Sequence, residues 1–214
     1  FDGTFDGAQF NAGNDKVNFQ AAYGYMVSGD NGIIAGATTN QLTKDANVTN
    51  TYLGLNGKVG KHTMVGGFYN RVNQDSSNGY KNIYGFNADA NFDKVWVGGE
   101  WLKDSHVDDS TAWTAGVGFG NYNIKKQGTW DVKAQYFNFG QYMGAVSSTW
   151  DIAYDFGQKP TFYGFKGWLA TANYALQDNV GLTAYYGFNN KTNKATGNNE
   201  KLSNYYRVDL NYQF

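Results

Sequence analysis

The side chains best suited to catalysis lie in one acidic segment, residues 104–110, which reads Asp-Ser-His-Val-Asp-Asp-Ser. His106 stands there among three carboxylates, and an Asp–His dyad is a common means of activating water. The sequence has one other histidine, His62, which lies near a predicted turn and is too far away to join the segment. A hydrolase with an extracellular Asp–His site is therefore one interpretation, although no second strand offers it a partner.

The composition removes other kinds of chemistry. The absence of Cys leaves no disulfide framework and no thiolate metal site. The 17 basic and 18 acidic residues give a net charge of -1, so there is no electrostatic reason to expect nucleic acid as a partner. No cofactor or metal is expected. Because no stretch approaches the roughly 18 apolar residues of a transmembrane helix, a membrane location would require a β-barrel.

The C-terminal run 204–214 shows the pattern that organises the whole sequence. Counted back from Phe214, every second residue is apolar or aromatic, and the residues between them are polar or charged. This strict alternation predicts a strand with one apolar face and one ionic face. An aromatic residue at the chain end, with no tail beyond it, is typical of the last strand of an outer-membrane barrel.

Similar alternating segments recur along the chain, at about the 9–11 residues that a membrane-spanning strand needs. We predict eleven strands, at 4–11, 16–26, 52–59, 62–72, 81–92, 94–103, 111–120, 129–139, 164–176, 179–190 and 203–214. Short and long connections alternate, as expected for periplasmic turns and extracellular loops. The loop 140–163 either folds inward as a constriction or caps the mouth of the barrel. A soluble sandwich or lectin would have to bury about ten outward aromatic faces, more than one sandwich core covers.

These patterns predict an all-β fold, a transmembrane antiparallel up-and-down β-barrel that fills residues 1–214 as one domain. Large aromatics fall toward both ends of the strands and predict two girdles at the membrane interfaces. Trp101, Trp113 and Trp168 lie toward the long loops. The others lie toward the short turns: Phe92, Trp130, Tyr212 and Phe214. The glycines of 116–120 are predicted to thin the inner face or to let a neighbouring side chain approach.

The number of strands leaves two alternatives open. Single-chain bacterial barrels have an even number of strands, whereas this count gives eleven. Either residues 33–42 supply a twelfth strand and the barrel is complete, or the chain is the C-terminal part of a larger barrel, which we favour.

Three runs, 167–176, 179–187 and 204–214, resemble the barrel end of the S-layer-homology porins, the OmpM-type proteins of diderm Firmicutes. The resemblance is clear over about the last third of the chain. Over the remainder it is limited to the general style of the strand and turn patterns. It implies a trimeric general diffusion channel of about sixteen strands, carried on a periplasmic stalk with a cell-wall-binding module. No stalk or wall-binding module is recognisable here, so the resemblance gives this chain only the channel part.

The function expected from the residues is passive, weakly selective diffusion of small hydrophilic solutes and ions across the bacterial outer membrane. Its residues would be the polar ones that face the lumen. By alternation the charged members are Lys58, Arg71, Asp89, Glu100, Asp131, Lys133, Arg207 and Asp209. Asp131 and Lys133, two apart on one strand face, are also candidates for a structural pair. The alternatives are the hydrolase above and a narrow, substrate-specific channel of twelve strands.

Overall fold

The computed structural model describes residues 4–27, 48–74, 79–105, 110–140, 164–193 and 199–214. These residues form one antiparallel sheet of eleven strands, in which each strand pairs with its neighbours in the chain. The strands are β1 (Thr4–Gly13), β2 (Val17–Val27), β3 (Val48–Val59), β4 (Thr63–Gln74), β5 (Gly79–Phe92), β6 (Val95–Asp104), β7 (Thr111–Gly120), β8 (Trp130–Phe139), β9 (Phe165–Gln177), β10 (Val180–Thr192) and β11 (Tyr205–Tyr212). No helix in this part of the chain is long and apolar enough to span a membrane.

All eleven predicted strands are confirmed, with ends that differ from the prediction by at most four residues. The connections alternate between the two ends of the strands as predicted, but their lengths do not separate fully, because 121–129 is longer than 75–78 and 105–110. We call the end that holds 14–16, 60–62, 93–94, 121–129 and 178–179 the turn end, and the opposite end the loop end. The segment 33–42, the candidate for a twelfth strand, lies outside the described residues, as do His106 and all but the first residue of 140–163.

The tight turns follow from their residues. Asp93 (φ 53°) and Asn179 (φ 66°) occupy the left-handed region within the two-residue hairpin turns 93–94 and 178–179. Asp and Asn tolerate that region better than other side chains do. In the turn 14–16 the Asn14 side-chain oxygen accepts hydrogen bonds from the backbone N–H groups of Lys16 and Val17, at 2.9 and 3.1 Å. These local bonds fix where the strands reverse.

The sheet has two chemically different faces. The strand register places Lys58, Asp89 and Asp131 on one face, which we call the polar face. It places Leu55, Phe86 and Val117 on the other, the apolar face. Of the exposed large hydrophobic side chains that lie in strands, all except Met64 belong to the apolar face. The period-two alternation of the sequence is thus carried across all eleven strands.

Of the buried hydrophobic side chains in the described residues, all except Ala175 lie on the polar face toward the loop end. Leu169 is 1% exposed and packs with Phe165 and Tyr205, while Leu102 packs with Ala112. The polar face is therefore not uniformly polar, since its loop-end part carries a small hydrophobic core.

The outer edges of the sheet are open within the described residues, because β1 pairs only with β2, and β11 only with β10. The antiparallel up-and-down sheet is as predicted, whereas its predicted closure into a barrel is not seen in this part of the chain.

Candidate pore-lining face

Seven of the eight charged residues predicted to line a lumen share the polar face. They are Lys58, Asp89, Glu100, Asp131, Lys133, Arg207 and Asp209. Arg71 does not join them, because its register partners Thr51 and Asn82 lie on the apolar face. Its Nε donates to Asn73 Oδ1 at 3.1 Å. Gly66 and Gly67 interrupt the alternation of β4, so the pattern does not determine which of its side chains share a face. The prediction that Arg71 lies with the other seven is wrong.

One group of these residues is built around Trp96. The indole Nε1 of Trp96 donates to Asp89 Oδ1 at 3.1 Å, and Lys133 Nζ lies 5.2 Å from the centroid of the Trp96 ring. A cation at this distance is attracted by the ring quadrupole. Asp89, Trp96 and Lys133 come from β5, β6 and β8, so we call them the Trp96 cluster. It joins an anion and a cation across three strands through one aromatic ring.

Glycines make the room that the Trp96 cluster occupies. A Cβ on Gly98 would collide with Asp89 and Trp96, and one on Gly118 would come within 2.9 Å of Lys133 Cγ. The absence of side chains at these two glycines therefore leaves the space that the indole and the methylene chain of Lys133 occupy. This agrees with the prediction that the glycines of 116–120 let neighbouring side chains approach.

A second group runs across the last four strands. Asn173 Nδ2 donates to Asp131 Oδ1 at 2.6 Å, and Thr183 Oγ1 donates to Asn173 Oδ1 at 2.8 Å. Asn211 Nδ2 then donates to Thr183 Oγ1 at 3.0 Å. We call these four residues the polar ladder. Asp131 thus bonds to Asn173 and Lys133 lies on Trp96, so the two do not form the structural pair considered from the sequence.

The charged residues of β11 pair with each other. Arg207 Nε and Asp209 Oδ1 are 2.8 Å apart, and the Arg207 guanidinium carbon lies 5.8 Å from the ring centroid of Tyr185. Both side chains are partly exposed, so solvent screens the pair and its contribution to stability is small. In the described part of the chain the side chains of Lys58 and Glu100 take no hydrogen bond or ion pair, and both are exposed.

The aromatics predicted as girdles all lie in register with the apolar face, with Phe214 just beyond β11. Toward the loop end, neighbouring ring centroids on this face lie 5.0–6.5 Å apart in two groups. Phe86 and Trp101 form one on β5 and β6, and the other crosses β7 to β11 and comprises Trp113, Tyr136, Trp168, Phe188, Tyr186 and Tyr206. Toward the turn end, Phe119 and Trp130 are 6.0 Å apart, and Phe92 lies 5.6 Å from His62. Exposed rings at both strand ends are typical of membrane interfaces.

The described residues contain no group of three or more His, Cys, Asp or Glu side chains arranged to hold a metal ion. Of the predicted hydrolase site, Asp104 is described and buried, and its backbone carbonyl accepts a hydrogen bond from the Ser110 hydroxyl at 2.6 Å. A scan against models of known protein families found no match, and a search of curated proteins found no similar sequence.

Proposed function

We propose that this chain is part or all of an outer-membrane β-barrel, and that its polar face lines a water-filled pore for passive diffusion of small hydrophilic solutes and ions. The observation that carries the proposal is the segregation of exposed hydrophobic side chains onto one face of eleven consecutive strands. An apolar surface of this extent is larger than soluble monomers expose. Lipid covers such a surface on outer-membrane barrels.

The strand lengths and the aromatic belts support the same proposal. The strands have 8–14 residues, against the 9–11 or so that cross a bilayer at a barrel's tilt. Lipid cannot bond to the free backbone groups of β1 and β11, so the proposal requires these edges to be joined, directly or through further strands. The resemblance to OmpM-type porins favours further strands and a homotrimer.

The polar face supports weak selectivity. Its seven described candidates comprise three cations and four anions, Lys58, Lys133 and Arg207 against Asp89, Glu100, Asp131 and Asp209. Several of these charges already have partners within the wall, so little net field is left to choose between ions.

The proposal is tested by the conductance of the detergent-purified protein in planar bilayers, with an intact-mass measurement of the source material. We expect large ohmic steps with weak ion selectivity, and a parent mass well above 23.7 kDa if the chain is part of a larger barrel. Small steps at a mass equal to this chain would favour the narrow twelve-stranded channel. A protein that stays monomeric in water without detergent and never conducts would contradict the proposal.

A further inference from the structure

The connection 121–129, between β7 and β8, differs from the other four at the turn end, each of which has two or three residues. It is folded by its own hydrogen bonds. The Thr129 hydroxyl accepts from the Asn123 N–H at 3.0 Å and lies 2.8 Å from the Asn123 carbonyl oxygen. The Lys126 N–H donates to the same carbonyl at 2.9 Å and closes a tight turn. We call residues 121–129 the connector.

The connector is also fastened sideways to the β9–β10 hairpin. The Asn179 N–H donates to the Ile124 carbonyl at 2.7 Å, and the Gln127 N–H donates to Asp178 Oδ1 at 2.8 Å. The Gln127 side-chain amide donates to the Leu176 carbonyl at 3.1 Å. Bonds to a neighbouring hairpin hold the connector in one position, whereas a free surface loop would lack them.

The connector covers the polar face where it lies. A Cβ on Gly181 would meet the Tyr122 hydroxyl in overlap and would come within 3.3 Å of Ile124 Cδ1, so both side chains rest on that glycine. Ala175 and Gly181 are buried on the polar face at this corner. By contrast, other described strands leave residues of the polar face exposed at their turn ends, namely Asn11, Lys58 and Asn91.

The Tyr122 hydroxyl is influenced by a charge on the polar face. Burial and the negative charge of Asp131 both raise the pKa of Tyr122, in that order of size. Its contact with Gly181 places the phenol over the polar face and away from the apolar face. The remaining part of its ring surface is accessible, since Tyr122 is only partly buried.

We infer that the connector narrows the pore at its turn end, with Tyr122 as the residue that sets the size of the opening there. This inference rests on the proposed function. It adds a narrowing of the pore at the turn end, separate from any narrowing by a long loop. The glycine at position 181 is required because any larger residue displaces Tyr122 from the wall. Under the proposed orientation this opening faces the periplasm.

The test compares single-channel conductance and uptake of sugars of increasing size for wild type, Tyr122→Ala and Tyr174→Ala. Tyr174 is a matched tyrosine near the same end but on the apolar face. We expect Tyr122→Ala to raise the conductance and the size limit, and Tyr174→Ala to leave both at the wild-type values. A conducting wild type with an unchanged Tyr122→Ala variant would overturn this inference alone. A wild type that does not conduct would overturn the proposed function and the inference together.

A melting experiment tests the contact without reference to the pore. Gly181→Ala is expected to lower the melting temperature, since the new methyl group meets Tyr122. Tyr122→Ala in the same chain should recover a large part of that loss, because it removes the group that is struck. Additive effects of the two substitutions would show that Tyr122 does not rest on Gly181, and would overturn the inference even in a conducting protein.

Discussion

At the scale of single residues, glycines on two strands determine where the three larger side chains of the Trp96 cluster lie. The indole lies over Gly98 and Gly118, where it reaches Asp89 with its N–H group and Lys133 with its ring. Each contact alone is modest, on the order of 1 kcal/mol for a cation near an aromatic face. Together they hold two opposite charges at fixed places on the polar face.

The close packing of Trp96 against Gly98 can be tested directly. Gly98→Ala is expected to destabilise the protein by about 1–3 kcal/mol, the usual cost of overpacking, because the new Cβ collides with Trp96 and Asp89. The matched control is Gly67→Ala, whose Cβ would lie 3.4 Å from its nearest neighbour, the Gly85 carbonyl oxygen. The measurement is unfolding by denaturant, followed by tryptophan fluorescence. Equal stabilities of the two variants would contradict the packing described for Trp96.

The charges of the polar face predict ion selectivity in the same residue-by-residue way. Replacing Asp89 and Glu100 by Asn and Gln removes two anions from neighbouring strands, so the reversal potential should shift toward anion preference. Lys133→Gln should shift it the other way. Arg71→Gln is the control, because Arg71 lies on the apolar face. A shift for Arg71→Gln as large as that for Lys133→Gln would show that the polar face does not line the pore.

At the scale of strands, the polar ladder joins β8 to β11 by side chains as well as by backbone. Its central member is Asn173, which donates to Asp131 and accepts from Thr183. Asn211 stands at the end of the ladder and makes one of these bonds. The ladder satisfies the hydrogen-bonding groups of its own four side chains across β8 to β11.

Position within the ladder predicts the cost of breaking it. Asn173→Ala removes one hydrogen bond from Asp131 and one from Thr183, and it is expected to cost about 1–3 kcal/mol. Asn211→Ala removes one outer bond and should cost about 1 kcal/mol or less. Unfolding free energies of the two variants in the same detergent decide the matter. A larger loss of unfolding free energy for Asn211→Ala than for Asn173→Ala would contradict the bonding described for the polar ladder.

The strands themselves were predictable from the sequence, and their connections only partly. Alternation over many residues fixes both the existence of a strand and which side chains share a face, as for Glu100 and Asp209. It fails where glycines blur the pattern, and Arg71 accordingly lies on the face opposite to the predicted one. The fold of the connector could not be predicted, because its bonds to Leu176 and Asp178 come from residues about fifty positions further along the chain.

At the scale of the whole molecule, the sheet behaves as one amphipathic surface. The apolar face extends from Phe10 on β1 to Tyr212 on β11, with aromatic belts toward both ends. The polar face carries the charges, the Trp96 cluster and the polar ladder. In water the apolar face would promote association. The proposed bilayer and aqueous lumen would accommodate the two faces.

The two faces should therefore respond oppositely to an added charge. Val117→Lys places an ammonium group near the middle of the apolar face and is expected to cost about 2–4 kcal/mol in a bilayer. Gln135→Lys, one strand away on the polar face, should cost little. Unfolding from lipid vesicles by urea measures both. Similar costs for the two substitutions would contradict a lipid-facing role for Val117.

Cysteine scanning of β2 distinguishes a lipid-facing apolar face from a buried one, and the absence of Cys from the sequence means that each introduced thiol is labelled alone. Single cysteines at 17–22, in protein folded into lipid vesicles, would be labelled with a nitroxide, and their exposure to oxygen and to a water-soluble nickel chelate would be compared. We expect alternation, with positions 17, 19 and 21 exposed to oxygen in lipid and positions 18, 20 and 22 exposed to the aqueous reagent. Equal exposure of both sets to the aqueous reagent would contradict it.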